Sequence, residues 1–227
     1  ASASPSHLLA PVKITKDKQG FRPDSGWFYH SAIPWDMNGD GPDFFFCQQP
    51  GSPTLALAAP EFIGERIVYY FMRDGSLQSR VLDASSGPGF SCSWADLNGD
   101  GRLDLLATNH RNQNGSVYAY SFAGEDYATA EVTRHTLAAG FSAASAKQGT
   151  ASPGDAVAFR PNVSGTEKPH VFLSGDNSNS VFLLVPTSEA PGDWRYEVQK
   201  IADLGADIGR PAIGDTDRNG FADVYVP

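Results

Sequence analysis

Short runs of apolar, β-branched and aromatic residues occur along the whole chain, and polar turns rich in Gly, Pro, Asn and Asp separate them. No stretch longer than a turn or two repeats its apolar residues with the 3.6-residue period of a helix. Short runs bounded by such turns are typical of β-strands. The pattern predicts strands over residues 66–71, 77–82, 103–108, 116–120, 131–137, 170–174, 180–185 and 196–201.

One polar segment recurs between these strands. Residues 96–104 read Asp-Leu-Asn-Gly-Asp-Gly-Arg-Leu-Asp, and residues 36–43 and 215–223 follow similar patterns. The first two copies start about 60 residues apart and the last starts about twice that distance further on. A degenerate copy at 155–169 keeps the hairpin pattern but lacks the spaced carboxylates. We therefore divide the chain into four repeats, at about 26–85, 86–147, 148–204, and 205–227 together with 1–25.

Each full repeat is predicted to hold four short strands, one on each side of the recurring segment and two further along the chain. Four-stranded antiparallel units in series are typical of β-propeller blades. The predicted fold class is all-β, a single β-propeller domain over residues 1–227. Residues 8–15 resemble the last strand of a repeat, and the chain stops after the second strand of one. An N-terminal outer strand and C-terminal inner strands would then complete a composite fourth blade and cover two open sheet edges. A fragment of a larger ring and a ring completed by oligomerisation are the alternatives.

The recurring segment has the chemistry of a calcium loop. It carries side-chain oxygens at positions 1, 3, 5 and 9, and the residue at position 7 can offer its backbone carbonyl. Ca²⁺ takes six to eight oxygen ligands, and an EF-hand would need a Glu at position 12, where Ala107 stands. A metal-free acidic turn is the alternative. The candidate ligands are Asp36, Asn38, Asp40, Asp43, Asp96, Asn98, Asp100, Arg102, Asp104, Asp215, Asp217, Asn219, Phe221 and Asp223.

Loops and strands together resemble the FG-GAP/VCBS repeats of integrin-type β-propellers. Residues 96–104 and 215–223 match the loop pattern of that family in full, whereas 36–43 is one residue short and contains Pro42. The resemblance implies a propeller with two to three structural Ca²⁺ ions per chain. Relatives include adhesion receptors, fungal lectins and domains of polysaccharide-degrading enzymes, so the family does not decide the function.

Composition narrows the classes of partner. The net charge is −9 and the pI about 4.9, so the basic surface of a nucleic-acid-binding protein is absent. No apolar run reaches the roughly 18 residues of a membrane-spanning helix. Cys47 and Cys92 are a candidate disulfide or two buried thiols, and Asn114 and Asn162 begin N-glycosylation sequons. Millimolar extracellular calcium suits such loops, so we predict a secreted protein.

Carbohydrate is the predicted ligand. Sugar sites combine an aromatic ring with side chains that hydrogen-bond hydroxyl groups. The candidates occur in polar connections and in two turns at equivalent positions of the second and third repeats; hydrophilic turns without a ligand are the alternative. These candidates are Trp27, Trp194, Asn109, His110, Arg111, Asp176 and Asn177.

Catalytic motifs are missing from the sequence. The five histidines form no zinc-binding pair, and no G-x-S-x-G motif is present. We therefore predict a non-catalytic, lectin-like binding module and no catalytic residues. A small polysaccharide lyase or hydrolase and an adhesion-type propeller that binds protein are the alternatives.

Overall fold

The computed structural model describes residues 27–35, 43–50, 66–73, 76–85 and 90–227. Within these ranges the chain consists of antiparallel strands, and its one helical element is the short 3₁₀ turn Asp176–Ser178. None of the described helical segments is long and apolar enough to cross a membrane. The all-β class predicted from the apolar runs is confirmed.

The strands form three four-stranded sheets and one two-stranded sheet, and in each four-stranded sheet the strand order follows the chain. Sheet I contains β1 (Trp27–Trp35), β2 (Asp43–Pro50), β3 (Arg66–Arg73) and β4 (Ser76–Asp83). Sheet II contains β5 (Ser91–Ala95), β6 (Asp104–Asn109), β7 (Gly115–Ala123) and β8 (Glu131–Phe141). Sheet III contains β9 (Ala156–Phe159), β10 (His170–Ser174), β11 (Ser180–Pro186) and β12 (Tyr196–Asp203). Sheet IV contains β13 (Ala212–Gly214) and β14 (Asp223–Tyr225).

The burial of β6 shows how the sheets stack. This strand is buried along its whole length. Leu105 and Ala107 join an apolar cluster with Ile67 of sheet I, whereas Leu106 joins a second cluster with Leu173 of sheet III. Alternate residues of a strand point to opposite faces. Sheet II is therefore packed between sheets I and III, which explains why the middle of β6, residues 105–107, is continuously apolar.

The first strands of sheets I, II and III also contact one another in sequence. β1 contacts β5, and β5 contacts β9. Sheet IV packs on sheet III, where Ile213 lies against the cluster of Phe172, Val181 and Ile208. Serial packing of this kind is what propeller blades require. Closure into a four-bladed ring, with residues 8–15 completing sheet IV, lies outside the described residues and stays a prediction.

Antiparallel order places alternate connections at opposite ends of the sheets. The connections at one end, called here the acidic-loop end, are residues 96–103, 124–130, 160–169, 187–195 and 215–222. The opposite end contains residues 110–114, 142–155, 175–179 and 204–211. The candidate calcium ligands of the second and fourth repeats lie at the first end, and most of the candidate sugar ligands lie at the second.

Candidate functional site

The second-repeat loop, residues 96–104, is held closed by its own side chains. Asp96 Oδ1 accepts from the backbone N–H of Gly99 at 2.8 Å and of Asp100 at 3.1 Å, and Asp96 Oδ2 accepts from Gly101 at 3.0 Å. Asp104 Oδ2 accepts from Leu97 at 3.0 Å. The first and last carboxylates thus bend the chain around themselves, as a cation-binding loop requires.

The fourth-repeat loop, residues 215–223, repeats this arrangement. Asp215 accepts from the N–H groups of Asn219 and Gly220, both at 2.9 Å. Asp223 Oδ2 accepts from the N–H of Thr216 at 2.8 Å. At position 3, Asp217 Oδ1 accepts from Asn219 at 3.1 Å. Position 3 binds the same group in the second-repeat loop, where Asn98 Oδ1 accepts from Asp100 at 2.8 Å. The two loops therefore share the bonds of positions 1, 3 and 9, except that Asp96 alone also accepts from position 4.

Both loops use left-handed backbone at positions 4 and 6. The φ angles are 76° at Gly99 and 84° at Gly101 in the second-repeat loop, and 62° at Arg218 and 89° at Gly220 in the fourth-repeat loop. Glycine adopts such angles without steric cost, whereas another L-residue loses roughly 1–2 kcal/mol. The fourth-repeat loop therefore carries a strain at Arg218 that the second avoids.

Oxygen atoms converge at the fourth-repeat loop. One carboxylate oxygen from each of Asp215, Asp217 and Asp223 lies within 4.8 Å of the other two. In the part of the chain that the structure describes, this is the one group of three or more acidic, His or Cys side chains that meet so closely. A carboxylate oxygen that accepts one N–H keeps a second lone pair. The donor set fits a hard cation such as Ca²⁺.

The backbone N–H groups at position 7 bind the side chain at position 5 in both loops. The N–H of Arg102 donates to Asp100 Oδ1 at 2.9 Å, and the N–H of Phe221 donates to Asn219 Oδ1 at 2.8 Å. The side chain of position 5 is thereby oriented in the same way in both loops. The carbonyl groups of positions 7 stay candidate ligands.

The second-repeat loop lies within a segment that is similar to a known family. Residues 89–120 match the model of the FG-GAP repeat. This segment is an FG-GAP repeat. The match begins just before β5, contains the whole second-repeat loop and ends in β7. It supports the resemblance drawn from the loop spacing and indicates a propeller-type binding module, and FG-GAP repeats often bind calcium. No curated protein matches the chain.

The final carboxylate differs between the FG-GAP repeat and the fourth-repeat loop. Asp104 is 2% exposed. Burial, with the charges of Asp100 and Asp96, raises the pKa of Asp104 to about 7. Asp223 is more exposed, and hydrogen bonds from the Thr216 side chain and backbone lower its pKa. The carboxyl group at this position therefore titrates near neutral pH in one loop and is ionised at neutral pH in the other.

Sheet III anchors the loop of the FG-GAP repeat. Tyr196 Oη donates to the carbonyl oxygens of Leu97 and Pro169, each at 3.1 Å. Burial and the nearby Asp104 raise the pKa of Tyr196, so its phenol stays a donor. On the other side, Tyr127 Oη donates to the carbonyl of Leu103 at 3.2 Å. The predicted strand start at Leu103 is consequently displaced by one residue, to Asp104.

Cationic side chains replace the acids in the third-repeat loop, residues 160–169. Phe159 pairs with His170 as Ala95 pairs with Asp104, so Arg160 and His170 stand where the FG-GAP repeat has Asp96 and Asp104. Arg160 Nε donates to the carbonyl of Glu167 at 2.7 Å. Two cationic or neutral donors at these positions offer no oxygen ligand.

Lys168 is the main stabilising residue of this region, and sequence reasoning missed it. The residue is 2% exposed, and its Nζ donates to the carbonyl of Asp193 at 2.8 Å and to that of Ala190. A Cβ atom added to Gly99 would lie 3.6 Å from Lys168 Cγ, so the side chain packs against the loop of the FG-GAP repeat. A lysine two residues before a strand, in a chain poor in lysine, was the available signal.

The two polar turns predicted to bind sugar do meet at the opposite end. His110 Nε2 and Asp176 Oδ2 are 2.5 Å apart, and the ring of His110 stacks on Phe90 with centroids 4.1 Å apart. Asn109 is 2% exposed, and its Oδ1 accepts from the N–H of Ser116. Asn177 Oδ1 accepts from the N–H of Ala151, and the backbone of Arg111 bonds Ser152 in both directions. These groups brace the turns, and their role in sugar binding stays a prediction.

The remaining candidates lie in varied positions. Trp194 is half-buried, and its ring stacks on His135 of sheet II with centroids 4.0 Å apart. Trp27 begins β1 and Asp43 begins β2, but their side chains lie outside the described residues, as do Asp36, Asn38 and Asp40 altogether.

The structure describes most of the residues of the predicted disulfide and N-glycosylation sites. Cys92 is buried and disulfide-bonded. Cys47 lies on β2 with its side chain outside the described part, so the specific pair stays a prediction. Asn114 and Asn162 are both exposed, as acceptors of N-glycans must be, and neither glycan is tested.

Proposed function

We propose that the chain is an extracellular, calcium-stabilised β-propeller module that binds carbohydrate and performs no catalysis. The single observation that carries the calcium part is the repeated hydrogen-bond pattern of residues 96–104 and 215–223. Two loops more than a hundred residues apart fold their carboxylates around the same backbone groups. Sequence spacing alone requires only a turn, whereas in the fourth-repeat loop three carboxylate oxygens also lie within 4.8 Å of one another.

Calcium would act as a staple of the hairpins. Close carboxylates repel one another unless a cation compensates their charge. An ion held by Asp96, Asn98, Asp100 and Asp104 would fix the hairpin β5–β6, and through Leu97 it would fix the contact with Tyr196 of sheet III. A bound cation would compensate the charge of the carboxylates. The equivalent ion at residues 215–223 would order the hairpin β13–β14.

Binding is favoured over catalysis by the surroundings of the serine–histidine contact. Ser121 Oγ and His135 Nε2 are 2.9 Å apart across sheet II. Among the described residues no carboxylate orients this histidine, and Trp194 covers one face of its ring. A hydrolytic triad needs an orienting third group. The contact therefore supports a role in joining strands and gives no argument for a hydrolase.

A calcium titration of the full chain tests the metal part. Protein stripped with EDTA should bind two to three Ca²⁺ ions in isothermal titration calorimetry. Asp104→Asn and Asp223→Asn should each remove one ion. Asp203→Asn is the matched control, because Asp203 is exposed and pairs with Lys200 outside the acidic loops. Unchanged stoichiometry in both loop variants would contradict the proposal.

A glycan array, read with calcium and with EDTA, tests the ligand class. Retention of glycans without turnover is the expected result. Unsaturated uronide absorbance released from acidic polysaccharides would instead establish the lyase alternative. A silent array combined with binding to a cell-surface protein would establish the adhesion alternative.

A further inference from the structure

A cavity of about 380 Å³ opens between sheets I and II, away from both acidic loops and from all of the predicted sugar ligands. Its wall is formed by the end of β4 and the middle of β7 and β8. The lining residues are Leu82, Asp83, Ser85, Tyr120, Val132 and Arg134. Two of them are apolar and four carry polar side chains, and the volume of the cavity lies within the range of about 300–1,000 Å³ found for small-molecule sites.

Asp83 organises the polar half of this cavity. Its Oδ1 accepts from the N–H and the hydroxyl of Ser85, both at 2.7 Å. Its Oδ2 accepts from Tyr120 Oη at 2.7 Å and from Arg134 Nη1 at 3.0 Å. Burial alone would raise the pKa of Asp83, but the donors Ser85 and Tyr120 and the charge of Arg134 hold it below the usual value. The carboxylate is thus ionised, and its four acceptor positions are used within the chain.

Arg134 is the group that can receive a ligand. Its hydrogen bonds to described residues, namely to Asp83 and Ser85, all come from Nη1. Among the described residues Nε and Nη2 have no hydrogen-bond partner, and 37% of the side chain is exposed. The guanidinium lies over the ring of Tyr118, with Cζ 5.0 Å from the centroid, which fixes its plane. The donors of Arg134 are consequently held in place before a ligand arrives.

The charge of the cavity selects the kind of ligand. The positive charge of Arg134 is already compensated by Asp83 at 3.0 Å, so an anion would gain little from the arginine and would be repelled by the aspartate. A cation would find the lone pairs of Asp83 already used. An uncharged ligand with hydroxyl groups can accept hydrogen bonds from Arg134 without either penalty, and its apolar face can lie on Leu82 and Val132.

We propose that this cavity between sheets I and II is a binding site for a neutral sugar ring, with Arg134 bonding hydroxyl groups and with Leu82 and Val132 contacting the C–H face. This inference rests on the proposed carbohydrate-binding function and gives it a location. A pyranose has the required combination of an apolar face and equatorial hydroxyls. Calcium is not a ligand here, so it acts on this site only through the stability of the sheets.

Two variants test the site from opposite sides. Arg134→Leu removes the donors, and Val132→Phe fills the apolar wall while leaving the contacts of Asp83 intact. Arg73→Ala is the matched control, because Arg73 joins the same two sheets through Asp126 at 2.6 Å but lies outside the cavity. Thermal melting of each variant establishes that it is folded.

The probes are methyl glycosides of glucose, galactose, mannose, fucose and N-acetylglucosamine, together with methyl glucuronide, measured by saturation-transfer NMR on the full chain. At least one neutral glycoside should bind the wild type. Its affinity should fall at least about tenfold in Arg134→Leu and Val132→Phe, the size expected for one lost bond to a charged group, and should stay unchanged in Arg73→Ala.

The other outcomes separate the two proposals. If neutral glycosides bind equally to the wild type and to both cavity variants, the carbohydrate function stands and this site is wrong. If methyl glucuronide alone binds through Arg134, the neutral ligand is wrong. If none of the probes binds and the glycan array is silent as well, both proposals are overturned.

Discussion

The loop of the FG-GAP repeat and the third-repeat loop connect equivalent strands of neighbouring sheets, but their side chains carry opposite charges. At residues 96–104 acidic side chains gather backbone N–H groups. At residues 160–169 basic side chains gather backbone carbonyls, since Arg160 bonds Glu167 and Lys168 bonds Asp193 and Ala190. One hairpin presents oxygen atoms to an external cation. The other contains its own cations.

This difference teaches that the hairpin and the metal are separate requirements. Lys168 is buried and ties the β9–β10 connection to the β11–β12 connection without an ion. The acidic loop of the second repeat packs against that same lysine through Gly99. We therefore expect calcium to stabilise the second and fourth repeats, and the ammonium group of Lys168 to stabilise the third.

Calcium removal should give the largest effect. An ion present at 100 times its dissociation constant stabilises the folded state by about 2.7 kcal/mol per site, so two sites give roughly 5 kcal/mol. For a chain of this size that corresponds to a fall in Tm of about 10–20 °C on adding EDTA. Differential scanning calorimetry measures it, with magnesium as the control ion. A Tm that does not change on adding EDTA would show that calcium does not stabilise the acidic loops.

Lys168→Met should cost about 3 kcal/mol, because the carbonyls of Ala190 and Asp193 are left buried without a donor. Urea unfolding should show the same loss with calcium and with EDTA, since this residue replaces the ion in its own repeat. Lys200→Met is the control, because Lys200 is half-exposed and should change stability by less than about 0.5 kcal/mol. A loss seen only with calcium would mean that Lys168 acts through the second-repeat loop.

The two acidic loops should differ in their response to pH. Without calcium, burial and neighbouring charges raise the pKa of Asp104 to about 7, whereas Thr216 lowers that of Asp223. Because calcium needs the ionised carboxylate, binding to the second-repeat loop at pH 7 should release about half a proton, and affinity should fall roughly tenfold per pH unit below that.

The raised pKa of Asp104 also determines how the stability of the calcium-free protein depends on pH. The raised pKa of Asp104 means that its contribution to the stability of the calcium-free protein is full below about pH 4 and is lost as pH rises to about 7. Calorimetry in buffers of different ionisation enthalpy measures the released proton. Release that persists in Asp104→Asn, or that disappears in Asp223→Asn, would reverse the assignment.

The smallest effect concerns position 4. Arg218 has a φ of 62° where the FG-GAP repeat has Gly99. Arg218→Gly should therefore stabilise the fourth-repeat loop by up to about 1 kcal/mol, seen as up to about fivefold tighter calcium binding. Gly99→Ala should have the opposite sign, because its φ of 76° strains an L-residue although the space around it is adequate. If both substitutions change calcium affinity in the same direction, backbone strain does not distinguish the loops.

Local features of this molecule could be predicted from sequence. The oxygen atoms of a calcium loop come from nine consecutive residues, so the spacing of Asp96, Asn98, Asp100 and Asp104 already contains the geometry. Strands such as β10 could be predicted in the same way, because turn residues flank them in the sequence on both sides. The apolar run of β6 predicted a buried strand, and its contacts with sheets I and III supply the reason.

Features that join repeats could not be predicted in this way. Tyr196 reaches Leu97 across 99 positions of sequence, and Tyr120 reaches Asp83 across 37. Neither residue has a distinctive neighbour that signals its partner. His110 and Asp176 had been grouped by their equivalent positions, but only the packing of sheet II on sheet III shows that they bond each other.

The number of calcium ions bound per chain tests the central claim most directly. Calorimetry on the EDTA-stripped full chain should give two to three ions, and the double variant Asp104→Asn/Asp223→Asn should lose two of them, while Lys168→Met leaves the number unchanged. Binding of no calcium by the wild type, or an undiminished number in the double variant, would contradict the account.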